Sequence, residues 1–309
     1  MSKLNFWHFF VFLFIYNSIM TFVIINKKKY TIKKNENENE SFINFSKNKI
    51  GKIIYLSDNR KINKTLDSEG YNENPYREIE IHNQCNKIIK SKLTTNLVKI
   101  YDYHIYNNSI ILIIDKYDGY LGSIIDKLNI DEIWSIFFQI FITFVIMQDK
   151  LGFYQGNFGL KNIVYKKISK TKKFFHYTYD GITYKVPNEG YKIAVSEYGN
   201  TLINTFIIAD YEKEYYEINL SKRIELYNIL LLLIKCIKTR ELHEKNKIGK
   251  KIKKITFSEK YKSKLQFLNN IIYNNVLFNN YNSIYTINTK YSEPANHKLL
   301  LEKLYNEYT

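Results

Sequence analysis

The chain has 309 residues, is 45% hydrophobic and 25% charged, and carries a formal charge of +16, so it has the apolar content for a sizeable core and is not a wholly disordered polymer. Most of the positive charge is lysine spread along a sequence rich in asparagine, isoleucine and tyrosine, and no arginine-rich stripe interleaved with aromatics stands out, which argues against nucleic acid as the partner. The two cysteines, Cys85 and Cys236, lie too far apart for metal-ligand spacing and read as buried thiols.

Residues 4–25 are an almost unbroken apolar run closed by Lys27, Lys28 and Lys29. The run is long enough to cross a bilayer as one helix, and the lysines would hold the domain after them on the cytoplasmic side. A cleaved signal, with the rest secreted, and a buried segment are the rivals. We therefore read 1–30 as an anchor or signal segment and the charge-alternating residues 31–41 as a polar linker.

From residue 42 to 118 short β-branched runs such as KIIYLS and SIILII flank one helical segment, REIEIHNQCNKIIKS, which predicts a small sheet-rich lobe. Residues 95–125 read as a helix–strand junction and a hairpin turning at Asn107 and Asn108. From 119 to 309 helical patterns dominate. Residues 133–150 are apolar nearly all round and predict a buried helix, and 224–238 a second core helix.

Five segments carry chemistry-bearing residues in a fixed order. SKNKIGKII (46–54) holds Gly51, with Ser46 and Asn48 ahead of it; KINK (61–64) ends in Lys64; REIEIHNQCNKII holds Glu78. GFYQGNFGLKNIVYKK (152–167) spaces Asn157 and Asn162 five apart, and SEYG ends the stretch TYDGITYKVPNEGYKIAVSEYG with Glu197, Tyr198 and Gly199. In this order the pieces resemble the protein-kinase family, and TYDGITYKVPNEG is similar to an insertion in the kinase-like proteins of large cytoplasmic DNA viruses.

That resemblance implies an α+β, bilobal protein-kinase-like fold, a sheet-rich small lobe and a helical large lobe, preceded by the N-terminal hydrophobic helix. It implies roles too. Gly51 stands for the third glycine of the phosphate-covering turn, Lys64 for the phosphate-contacting lysine and Glu78, with Glu80 as a second candidate, for its helix-borne partner; Asp115, Lys116 and Tyr117 stand for the adenine-binding hinge, with Ile114 before it. Asn157 stands where the catalytic aspartate belongs, Asn162 and Glu197 where metal ligands belong, and Glu225 where an acid anchors the catalytic loop.

An amide at 157 carries no charge and is no base near neutral pH, and a glutamate at 197 sets its carboxylate too far out for a strict octahedral ion. The expectation is a pseudokinase acting through a protein partner, with ATP and Mg²⁺ bound weakly or not at all, on a membrane through residues 4–25. An atypical active Ser/Thr kinase, and a membrane-anchored structural protein with a vestigial kinase fold, are the alternatives.

Overall fold

The computed structural model describes residues 22–25, 28–35, 40–55, 75–106, 109–156, 158–198, 201, 203, 212–247, 262–270 and 297–308. The chain is mixed α+β with antiparallel sheets. It divides into two compact units, one of residues 1–65 with 99–116 and one of residues 66–98 with 117–309.

The smaller unit contains a six-stranded antiparallel sheet. Its strands are β1 (Phe22–Ile25), β2 (Lys28–Asn35), β3 (Glu40–Ser46), β4 (Lys49–Tyr55), β5 (Ile100–Tyr106) and β6 (Ser109–Asp115), in the order β1-β2-β3-β4-β6-β5. Strand β1 corrects the expectation of a single helix over 4–25. Its Phe22–Ile25 backbone pairs with Lys28–Thr31, and Val23 and Ile25 are buried with Ile43, Ile53 and Ile111. Strand β2 likewise takes up residues 31–35 of the expected linker, because Tyr30 stacks on Phe45 and Ile32 packs on the same core. Residues 4–21 and 36–39, Lys64, the Asn107–Asn108 turn, Asn157 and Gly199 lie outside the described residues.

Gly51 lies two residues inside β4, after the tight turn Lys47–Asn48. The reason for a glycine there is close approach. A Cβ would meet Ile43 Cγ1 at 2.7 Å and Ile111 Cγ2 at 3.1 Å, atoms of the strands on either side. Gly51→Ala is therefore expected to destabilise the smaller unit by about 1–3 kcal/mol through overpacking, read as a lower urea midpoint.

The larger unit is built on helix α2 (Ile130–Leu151), which starts at a capping box, with Asn129 accepting from the Asp131 and Glu132 amides while Glu132 reaches back to the Asn129 N–H. Every residue from Ile133 to Gln148 is buried. Helix α2 is apolar and long enough to span a bilayer, but 89% of its most apolar window is buried in protein, so it is a core helix. Its polar residues Ser135, Gln139 and Thr143 fall four apart on one stripe. That stripe meets backbone: Ser135 donates to Pro187 O, and Gln139 donates to Tyr191 O while accepting from the Ile193 N–H.

Around α2 stand α1 (Pro75–Lys90), β7 (Gly119–Tyr120), β8 (Ile163–Lys167), the β9–β10 hairpin (Phe174–Tyr179, Ile182–Pro187), β11 (Tyr191–Val195), α3 (Glu212–Lys247), α4 (262–270) and α5 (His297–Tyr308). Strands β7, β8 and β11 form a three-stranded sheet. Helix α1, expected in the sheet-rich lobe, groups with the larger unit because Ile81, Cys85 and Ile88 join its core. The β9–β10 turn is Asp180-Gly181, with φ of 49° and 76°, the backbone that two-residue hairpins require.

Candidate functional site

Helix α2 ends at Gly152, whose left-handed φ of 62° lets its N–H and that of Phe153 bond Gln148 O and Met147 O. The chain then enters the loop 152–162. Phe153 and Phe158 both pack edge-on against Phe144 of α2, at centroid distances of 5.7 and 5.2 Å, which fixes the loop at two points.

A buried acid fixes it at a third. Glu225 of α3 is 3% exposed; its Oε1 accepts the Gln155 backbone N–H at 2.9 Å and its Oε2 accepts Gln148 Nε2 at 3.4 Å. Gln155 carries the tie onward, its side-chain amide donating to Ser196 O at 2.9 Å and reaching Glu197 O at 3.5 Å. From the other side Asn162 O accepts both the backbone N–H and the hydroxyl of Ser196, at 2.8 and 3.0 Å. One acid, one amide and one carbonyl thus lock the loop to the segment 196–198.

Within that segment Glu197 has φ of 60°, a left-handed conformation that costs a non-glycine residue of the order of 1 kcal/mol or more. Its neighbours impose it. Ser196 is held by Asn162, and Tyr198 is fully buried, its hydroxyl donating to Val195 O at 2.7 Å and its ring meeting His82 of α1 edge-on at 4.7 Å and Phe153 at 6.2 Å. Burial pushes the Tyr198 hydroxyl well above its ordinary pKa and pushes the Cys85 thiol, which hydrogen-bonds it, up to about 12.

Of the residues singled out in sequence, Glu78, Asn162 and Glu197 are in the larger unit together with Tyr117. Glu78 is 5% exposed on α1, 3.9 Å from His82 Nε2, and His82 Nδ1 contacts Val98 O. Tyr117 lies under the Lys166 ammonium. Gly51 and Asp115 belong to the smaller unit, where Asp115 accepts the Tyr101 hydroxyl.

Residue-type matching passed over Lys52. Gly51 and Ile53 point to the Ile43–Ile111 core, so Lys52 takes the other face of β4 with Ile50 and Ile54, level with Leu112 of β6, while Ile50 is level with Ile114. Strand periodicity gives that placement once 49–55 is recognised as a strand. The role of Gln155 as a staple had no such signal, because its partners are backbone carbonyls far along the chain.

Asn162 suits a metal ligand, since its Oδ1 is buried without a hydrogen-bond partner; Gln155 Oε1 is in the same condition. No cluster of three or more His, Cys, Asp or Glu occurs among the described residues. No protein-family model matches the chain, and no curated protein matches it.

Proposed function

We propose that this chain is a protein-kinase-like scaffold, with a sheet-rich small lobe and a helical large lobe, that has lost phosphoryl transfer and works by binding another protein. The observation that carries it is the loop 152–162, which contains neither a carboxylate nor a histidine yet is held by Glu225, Gln155 and Asn162. Phosphoryl transfer needs a group there that orients and accepts a proton from the attacking hydroxyl. The framework stands without that group.

The sheet order supports a second element of the same reading. Kinases carry the phosphate-contacting lysine on the third strand of the small-lobe sheet. Strands β2, β3 and β4 run as a meander, β4 is the one beside β6, and β6 leads into 115–117, so Lys52 replaces Lys64 in that role.

Calorimetric melting of the full chain with ATP, with and without Mg²⁺, tests this. At millimolar ATP the expected rise is below about 1 °C in either condition, because ligand concentration does not exceed the dissociation constant. A rise of several degrees that requires Mg²⁺ and disappears in Lys52→Ala overturns the proposal. It would favour an atypical active kinase, the reading to which the orphan Asn162 Oδ1 lends weight, with Asn162 and Glu197 holding the ion.

A further inference from the structure

Within a chain generally rich in lysine, one short run is denser than its surroundings and the fold presents it at the surface. Residues 161–173 contain six lysines and no acid. They end β8, form its connection to β9, and present Lys167, Lys170, Lys172 and Lys173 as exposed side chains. Phe174 comes directly after them, 39% exposed, and Lys185 lies on the same outer face of the hairpin, opposite His176. The acid nearest in the hydrogen-bond pattern is Glu189, whose carboxylate takes one cation, Lys170, at 3.1 Å.

The connection is also built. Asn188, 6% exposed, donates through Nδ2 to Ser169 O at 2.9 Å and Lys172 O at 2.8 Å; its own N–H bonds Lys173 O, and its Oδ1 accepts the Gly190 N–H. Ser169 Oγ caps the Thr171 N–H, and the Ile168 N–H bonds Gly190 O. A buried asparagine spent on the carbonyls of a lysine loop fixes the backbone, so less loop entropy is lost when the cations meet a partner.

We infer that this face, the β8–β9 connection with the outer side of the β9–β10 hairpin, docks on an anionic phospholipid surface. Flexible ammonium groups on long stems suit a fluid array of phosphate and carboxylate headgroups, and a solvent-facing phenylalanine among them supplies an apolar group for the interfacial layer. A nucleic-acid face would have a use for planar arginine forks, and residues 158–198 contain no arginine. The inference stands apart from the kinase-like reading.

The test is flotation of the full chain with phosphatidylcholine vesicles and with vesicles containing about 30% phosphatidylserine. Each surface lysine near an anionic leaflet is worth about fivefold in partition. The combined variant Lys167→Gln, Lys170→Gln, Lys172→Gln and Lys173→Gln should therefore lose the phosphatidylserine preference by about 600-fold, with an unchanged melting temperature. Raising salt from about 0.1 to about 0.5 M should erode the wild-type preference in the same direction. Phe174→Ser should weaken binding to the anionic vesicles by several-fold without changing its salt dependence. Equal wild-type binding to both vesicles overturns the inference. So does a preference that survives in the quadruple variant, or a labelled RNA or DNA oligonucleotide that binds more tightly than the vesicles and is released by the same substitutions.

Discussion

Glu225→Ala is expected to cost the larger unit about 3 kcal/mol, while Glu225→Gln costs about 1 kcal/mol. The carboxylate is buried and receives the Gln155 backbone N–H and the Gln148 amide. Alanine leaves both donors without an acceptor and opens a void between α2 and α3. Glutamine keeps the volume and can still accept the Gln155 N–H through its carbonyl, losing chiefly the charge-assisted share of those bonds. Urea unfolding monitored by circular dichroism gives the two midpoints, and limited proteolysis reports on the loop, which should become cleavable near residues 153–158 in the alanine variant first. Equal midpoints for alanine and wild type would mean that the Phe144, Phe153 and Phe158 contacts hold the loop by themselves.

Much of this arrangement could be read from sequence where one element satisfies itself. Helix α2 announces its burial by being apolar on every face, and its start by Asn129 with Glu132 three residues on. Strand β6 shows in the β-branched run SIILII. Strand β1 did not, because a run apolar at every position has no period to distinguish a helix from a strand; the choice was made by Tyr30, Ile32 and Phe45, which offer its Val23 and Ile25 a core to join. Nor did α1 reveal its allegiance, since Ile81, Cys85 and Ile88 would fit either neighbour equally well by composition.

At the candidate site the positions were legible and the connections were not. Spacing picked out Asn162, Glu197 and Glu225, and all three lie in one hydrogen-bonded system through Ser196 and Gln155. The packing reason for a glycine at 51, the 2.7 Å approach of Ile43 to where a Cβ would stand, has no signal in sequence. The edge-on pairing of His82 with Tyr198 joins residues more than a hundred positions apart and has no sequence signature.

Alkaline pH is expected to remove about 4 kcal/mol of the protein's stability between about pH 9 and 11. Burial raises the Cys85 thiol from 9.0 to about 12 and the Cys236 thiol from 9.0 to about 12, and it holds the Tyr198 hydroxyl well above 10.0. Below pH 9 these groups are protonated in both states and stability is indifferent to them. Above it the unfolded chain releases the thiol protons while the folded chain keeps them, so the unfolded state binds fewer protons and stability falls with rising pH until the folded values are reached. Each thiol contributes about 1 kcal/mol per pH unit, and Tyr198 joins them above pH 10. Two thiols falling together remove about 4–6 kcal/mol within two to three units, against a total stability of about 5–15 kcal/mol. Urea midpoints measured under reducing conditions at steps from pH 8 to pH 11 should trace this decline, and in the Cys85→Ala, Cys236→Ala double variant its slope should be markedly shallower, whatever the cavity costs at neutral pH. A slope unchanged by removing both thiols would show that they are already ionised in the folded protein at about pH 9 and that their burial does not hold in solution.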